Sequence, residues 1–395
     1  MAHSSASYDV IVIGLGAMGA ATLYQLAQRK VRVRGFDQFT PPHALGSSHG
    51  ETRITRLAIG EGDCYSPFAI RSHEIWRDLE RMTNERLLHI TGGLVIGNSD
   101  HSGRFHGKPS FLETTIRAAK RWGIQHEILD AQETRRRFSQ FLLSDSEGAY
   151  FEPEAGYVAP EACVRAQVEA ARRYGAEIAL NDKVIEIQPR SSGGVTVRAD
   201  SGIYNADQVV LAIGSWISRF LPTYARHFSI TRQVLYWFSC PQASHRFGRG
   251  KSPVFLWALG DEEAEGLYGF PAIDGDGGGV KIAPSKYDRE VDPDSVDRSV
   301  GLEEIEKVYN RYVRGRIQFV EPRCVKTATC LYTTTPDSDF VIDRLPETPQ
   351  LVVVSPCSGH GFKHSAAIGE SVAELVTTGS SSRDLRPFSL SRFSL

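Results

Sequence analysis

The chain has 395 residues, with 45 basic and 47 acidic side chains and a formal charge of −2. That balance excludes the basic footprint of a nucleic-acid binder or an anionic-membrane binder. No apolar run approaches the about 20 residues that cross a bilayer, and the first ten residues lack a signal peptide's charged start and apolar stretch. A hydrophobic share of 41% supports a packed core, and the length suits two domains or one interleaved unit. Six cysteines are scattered with no CxxC pair and no zinc-like spacing. The expectation is a cytoplasmic chain with reduced thiols and no metal site.

In chain order, YDVIVIG (8–14) reads as a strand buried on both faces. GLGAMG follows at once, with Gly14, Gly16 and Gly19 in the G-x-G-x-x-G pattern and an apolar helix face behind it. A second strand, VRVRGF, ends at Asp37, 18 positions after Gly19, close to the spacing expected of a ribose-binding acid. Each part has a physical task. Gly14 permits the tight turn, Gly16 lets the backbone approach a pyrophosphate, and Gly19 lets helix and strand pack closely. The helix start then offers free N–H groups and a positive dipole end. The unit predicts a dinucleotide site without separating NAD from FAD.

The Gly-, Ser- and Pro-rich stretch after Asp37 reads as a loop. It leads into an amphipathic helix over 67–82, then a β-like stretch at ITGGLVIG. Residues 101–112 are polar and read as a surface insertion. FLETTIRAAKRWG reads as a helix stopped by glycine. The stretch beginning AYFEPEAGYVAPEA reads as a loop feeding a helix. A hairpin with a Ser-Gly-Gly turn and a buried strand (208–213) follow. Alternating aromatic strands then run to about 323, with a helix only at 302–314. TATCLYTTTPDSDF reads as a strand ending in a Pro-Asp turn. Its Cys330, taken alone, reads as a small buried hydrophobe. LVVVSP is a last buried strand, followed by GHGFKH and a helix.

Nucleotide-type βα units thus stand at the start, middle and end, with blocks of different character between. The predicted fold is α/β: a Rossmann-like dinucleotide domain interleaved with an α+β substrate domain on a mixed or antiparallel sheet. The expected boundaries are 1–87, 152–222 and 323–395 for the first domain, and 88–151 and 223–322 for the second.

The stretches GLGAMG, PPHALGSSHGETRITR, AIGEGDCY, VVLAIGSW, GLYGFPAIDGDGGGVKI, EVDPDSVDR, TATCLYTTTPDSDFVID, CSGHGFKHSAAIGE and PFSLSRF run from about residue 14 to residue 393. Together they resemble the monomeric sarcosine oxidase and N-methyltryptophan oxidase family of flavin amine oxidases. The resemblance implies a monomeric two-domain FAD protein that oxidises a secondary or tertiary amino acid, with O2 as acceptor. It implies a flavin bound through Gly14, Gly16, Gly19, Asp37, Ser47, Gly359, Gly361 and Phe362, and tethered to Cys330. A thiolate there would attack the activated 8-methyl carbon of the ring. Tyr332 would face the same side of an extended segment and, by resemblance, enter the substrate pocket. Arg56 and Lys363 would bind the substrate carboxylate, with Arg53 near the flavin ring. An arginine fork suits a carboxylate because it makes two parallel bonds, and Arg53 and Arg56 would share a face if they lay on one helical turn. The helix start after Gly359, His360 and Gly361 would aim its dipole at the flavin pyrimidine. Lys281 matches the lysine that activates O2, and His49 and Tyr268 match active-site positions.

Some positions depart from the pattern. Ser48 precedes His49 where relatives often have two histidines, Ser285 stands where relatives place a pocket histidine, and Pro284 and Lys286 flank it. The loop LWALGDEEAEGLY before Tyr268 is unusually acidic. These departures leave the amine substituent open among sarcosine, other N-methyl amino acids, and proline-like or pipecolate-like rings. Two competing readings are an NAD-dependent dehydrogenase, which would not need Cys330, Lys281 or the GHGFKH turn, and a flavin-binding module without catalysis.

Overall fold

The computed structural model describes residues 7–100, 102–260, 265–285 and 289–393. Two large sheets organise the chain. The first begins with Ser7–Ile13, whose Val and Ile side chains are almost wholly buried, as expected of a strand covered on both faces. It pairs in parallel with Val33–Asp37 on one side and Gly202–Leu211 on the other. Along its opposite edge, Gly202–Leu211 carries Val195–Ala199 antiparallel at its start, and Thr348–Ser355 in parallel at its end (Val209 against Leu351, Leu211 against Val353). The helices Ala17–Gln28, Pro160–Arg173 and Ser365–Thr378 lie together on this sheet.

The second sheet has eight strands among the described residues. It runs from the edge strand Cys324–Thr334 through Ser229–Phe238, Val280–Pro284, Gly266–Gly269 and Val254–Ala258 to Gly93–Asn98, Glu147–Glu152 and Glu127–Asp130. Every pairing is antiparallel except Val254–Ala258 with Gly93–Asn98. The Cys324–Thr334 strand, expected with the dinucleotide segments, therefore belongs hydrogen-bond by hydrogen-bond to the other sheet. A third, small sheet joins Arg53–Thr55, Gly156–Val158 and Leu88–Ile90.

Three local expectations are corrected. The stretch read as a loop before Pro160–Arg173 is two strands, Glu147–Glu152 and Gly156–Val158, whose Tyr150 and Tyr157 are buried. Residues 102–112 are not a simple surface insertion: Phe105 and Phe111 are fully buried. Arg53 lies on a strand, so no helical turn pairs it with Arg56. The helix Phe111–Trp122 does end at Gly123 in a left-handed cap (φ 63°).

Candidate active site

A cavity of about 1440 Å³, partly open to solvent, runs along the carboxyl end of the first sheet to the edge of the second. Gly14, Gly16, Asp37 and Ser47 line its first part, and Arg53, Tyr332, Gly359, Gly361 and Phe362 the far part. The glycine turn is built as its motif demands. Gly14 has φ 85°, and a Cβ on it would lie 2.5 Å from the Ala212 carbonyl oxygen; a Cβ on Gly19 would lie 1.7 Å from that of Gly14. Asp37 accepts from Leu15 N–H at 2.7 Å and Phe39 N–H at 2.8 Å, which fixes the turn and leaves the carboxylate at the cavity wall. Burial pushes its pKa up, and the two N–H groups oppose that.

Cys330 sits on the edge strand, 1% exposed and in register with Gln233. The open edge of that strand is covered from the nucleotide side. Arg298 donates to Thr329 O at 3.0 Å, Ser47 Oγ to Leu331 O at 2.6 Å, and Ser358 N–H to Thr333 O at 2.9 Å. Arg298 also donates to Ala44 O and Leu45 O, at 3.2 and 2.6 Å, tying the loop before Ser47 to the cysteine strand. Burial raises the Cys330 thiol pKa, while the Arg53, Lys281 and Arg298 cations pull it down. Tyr332 and Tyr268 interact through their hydroxyls beside it.

Lys281 is 3% exposed rather than a solvated strand lysine. Its Nζ donates to Gly50 O (2.7 Å), Thr52 O (2.9 Å) and Thr52 Oγ1 (3.0 Å), and it stands 4.3 Å from the centre of the Phe270 ring. Burial, then the Arg53 cation, lowers its pKa well below the usual lysine range. Three acceptors match the three N–H groups of an ammonium and work against that shift. Gly50 allows this nest: its φ is 98°, and a Cβ there would lie 2.6 Å from Leu235 Cδ1. His49 is buried, and burial with the Arg53, Arg298 and Lys281 cations lowers its pKa to about 3. The ring is neutral at ordinary pH and cannot store a proton as a general base.

The two arginines diverge. Arg53 donates to Ser47 O (2.8 Å) and Thr52 O (2.9 Å) at the cavity. Arg56, 2% exposed, turns inward to Ala58 O and to Glu61, 2.6 Å away. Glu61 also meets His106 Nδ1 at 3.0 Å and Lys363 Nζ at 3.9 Å. Burial alone would raise Glu61, but Arg56, Lys363 and the His106 bond hold it well below the usual carboxylate range. Lys363 donates to His360 O at 2.7 Å; burial lowers it to about 8, against the pull of Glu61. Two cations and one internal carboxylate leave one positive charge for an incoming anion. Sequence reasoning missed Glu61, His106 and Arg298, although Glu61 and Arg298 stand inside AIGEGDCY and EVDPDSVDR. Ser285 is not free in a pocket, because its hydroxyl donates to Gly266 O at 3.2 Å. Lys286 and acids 261–263 of the loop before Tyr268 lie outside the described residues.

A glycine turn and an acid on one sheet line a cavity that also reaches Arg53, Tyr332 and Gly359, an arrangement suited to a dinucleotide. The cavity suits FAD: Gly14, Gly16 and Asp37 line it, and Gly16 carries no side chain where a phosphate would approach. Residues 9–375 match the family described as FAD dependent oxidoreductase, and the chain belongs to that family. It is 38% identical to a monomeric sarcosine oxidase of Streptomyces avermitilis, covering 97% of each chain. It is 33% identical to an N-methyl-L-tryptophan oxidase of Yersinia pestis, over 98% of this chain and 99% of that one. Among solved structures, NikD, an amino acid oxidase of nikkomycin biosynthesis, superposes with a TM-score of 0.82 at 25% identity over 98% of each chain.

Proposed function

We propose that the protein is an FAD-dependent oxidase of N-methyl or cyclic secondary amino acids. The observation that carries this reading is the buried charge cluster beside the cavity: Arg56 and Lys363 face Glu61, Glu61 bonds His106 next to the cavity-lining Gly359, and Arg53 and Lys281 act on the Cys330 thiol. Bound FAD would supply the hydride acceptor for the carbon beside the amine nitrogen and the route for the electrons to O2, with H2O2 and the hydrolysed imine as products. Arg56 and Lys363 bind the substrate carboxylate, and Tyr332 and Tyr268 wall the amine. Lys281 supplies positive charge where O2 is reduced. His49 acts as a neutral polar group, and Arg53 lies along the ring.

Gly14, Gly16, Gly19, Asp37, Ser47, Gly359, Gly361, Phe362 and Lys363 hold the cofactor, and Cys330 anchors it. A flavin held there would be joined through its 8-methyl carbon to the Cys330 sulfur, a link that would cost the thiol proton, one methyl proton and two electrons, with O2 as the acceptor. The cofactor domain comprises 1–87, 152–222 and 323–395 with the Cys330 strand lent to the other sheet, and the substrate domain 88–151 and 223–322. We place the protein in the cytoplasm as a monomer; its six free cysteines fit a reducing compartment.

Acid precipitation tests the anchor: flavin colour should follow the pellet, and a colourless pellet refutes Cys330. A peroxide assay with sarcosine, N-methyl aromatic amino acids, proline and pipecolate tests the reaction. No peroxide with any amino acid would leave the inactive flavin-binding reading in its place, and reduction of added NAD would favour the dehydrogenase.

A further inference from the structure

Tyr332 and Gly359 line the cavity, and a histidine stands against Gly359. A Cβ built on Gly359 would meet Tyr332 Cε2 at 2.8 Å on one side, and His106 Cδ2 and Nε2 at 3.1 Å on the other. Gly359 is therefore a narrow partition between the two rings, and its φ of 80° keeps it a glycine. The His106 ring is held rigidly. Its Nδ1 bonds Glu61 at 3.0 Å, its face stacks on His360 with centroids 5.6 Å apart, and Phe105 meets it edge-on at 4.6 Å. The segment that carries it is fastened at the rim. Lys108 pairs with Asp339 at 2.9 Å, and Gly107 N–H donates to Glu265 at 3.0 Å.

His106 thus bonds Glu61 of the charge cluster and stands against Gly359, which lines the cavity. We propose that His106 is a specificity-determining residue of the amino-acid site, its ring setting the size of substituent that fits between Tyr332 and the clamp. This rests on the amino-acid oxidase reading of the same site. The substrates favoured by the intact chain are small at that end, and removing the ring joins the space behind Gly359 to the cavity.

The test uses the holoenzyme and two carboxylate probes, acetate and benzoate, with Kd read from perturbation of flavin absorbance. His106→Ala should lower the benzoate-to-acetate Kd ratio by about tenfold or more, the scale of a pocket enlarged by several heavy atoms. His106→Asn, whose amide nitrogen can stand in for Nδ1 toward Glu61, should lower it equally, because the ring is the wall. An unchanged ratio in His106→Ala overturns the proposal. So does a wild-type ratio in His106→Asn, which would route the effect through Glu61. So does a failure of both probes to perturb any variant. Peroxide release is scored separately with sarcosine, N-methyl aromatic amino acids, proline and pipecolate, so a wild-type enzyme that makes none from any of them defeats the oxidase reading while the Kd ratio still decides the role of His106.

Discussion

Ser47 donates its hydroxyl to the carbonyl of Leu331 at 2.6 Å, one residue past Cys330, while Arg298 grips the carbonyl one residue before it. The cysteine is bracketed from both sides by groups that also shape the cofactor loop. Ser47→Ala removes one hydrogen bond worth about 1 kcal/mol, so the fold survives. Covalent incorporation of flavin should nevertheless slow several-fold, measured as the coloured fraction of the acid pellet over time. A wild-type rate would show that the bracket plays no part in attachment.

Lys363 titrates at about 8 because burial disfavours its ammonium. The charged form is present below that pH and lost above it, as for any lysine, but burial brings the loss down from the usual 10.5. Affinity for acetate should therefore fall about tenfold per pH unit above pH 8, with one proton taken up on binding there. Lys363→Met should flatten the profile; a profile unchanged in that variant assigns the titration elsewhere.

Lys281 donates to the Gly50 and Thr52 oxygens, and in the proposed reaction it supplies positive charge where O2 is reduced. Lys281→Met should slow reoxidation by O2 about 100–1,000-fold, the scale of losing one preorganised charge donor. Anaerobic reduction by substrate should change little in stopped-flow measurements. In the parent enzyme, reoxidation should slow as pH rises through a midpoint below the usual lysine value, since burial and Arg53 lower it.

Arg56 and Glu61 form a buried pair, and breaking such a pair by removing one partner costs about 3–5 kcal/mol. Arg56→Met should fall at the low end of that range, because Lys363 and His106 still face Glu61. Arg56→Met with Glu61→Gln should recover most of the loss in urea unfolding of the holoenzyme. A double variant no more stable than the single would mean the packing of Arg56 against Phe111, not its charge, sets the cost.

The glycine turn, the strand ending at Asp37 and the last helix were legible because their signals are local: each spans a few residues of fixed period. The clamp was legible only as separate cations. What completes it, Glu61 against His106, joins residues 45 positions apart, and no periodicity carries that contact. The shared helical face assumed for Arg53 and Arg56 failed because Arg53 pairs with Val158 in a strand, and that choice is made by a partner about a hundred residues away. The Cys330 strand, expected among the cofactor segments, pairs with Ser229–Phe238 in the other sheet: its sequence reads as a strand but does not name its neighbour.

The strand Thr348–Ser355 seats beside Gly202–Leu211, against the sheet that opens the chain. On the ribosome, that first sheet must therefore wait, with one long flank unmade, until almost the whole polypeptide has emerged. In the interval the chain builds most of the other sheet, whose own outer strand also relies on late-arriving residues such as Ser358. Neither half can finish before the other, so folding is a post-synthetic event of high contact order. A chain ended before residue 348 would leave the end of Gly202–Leu211 without its parallel neighbour.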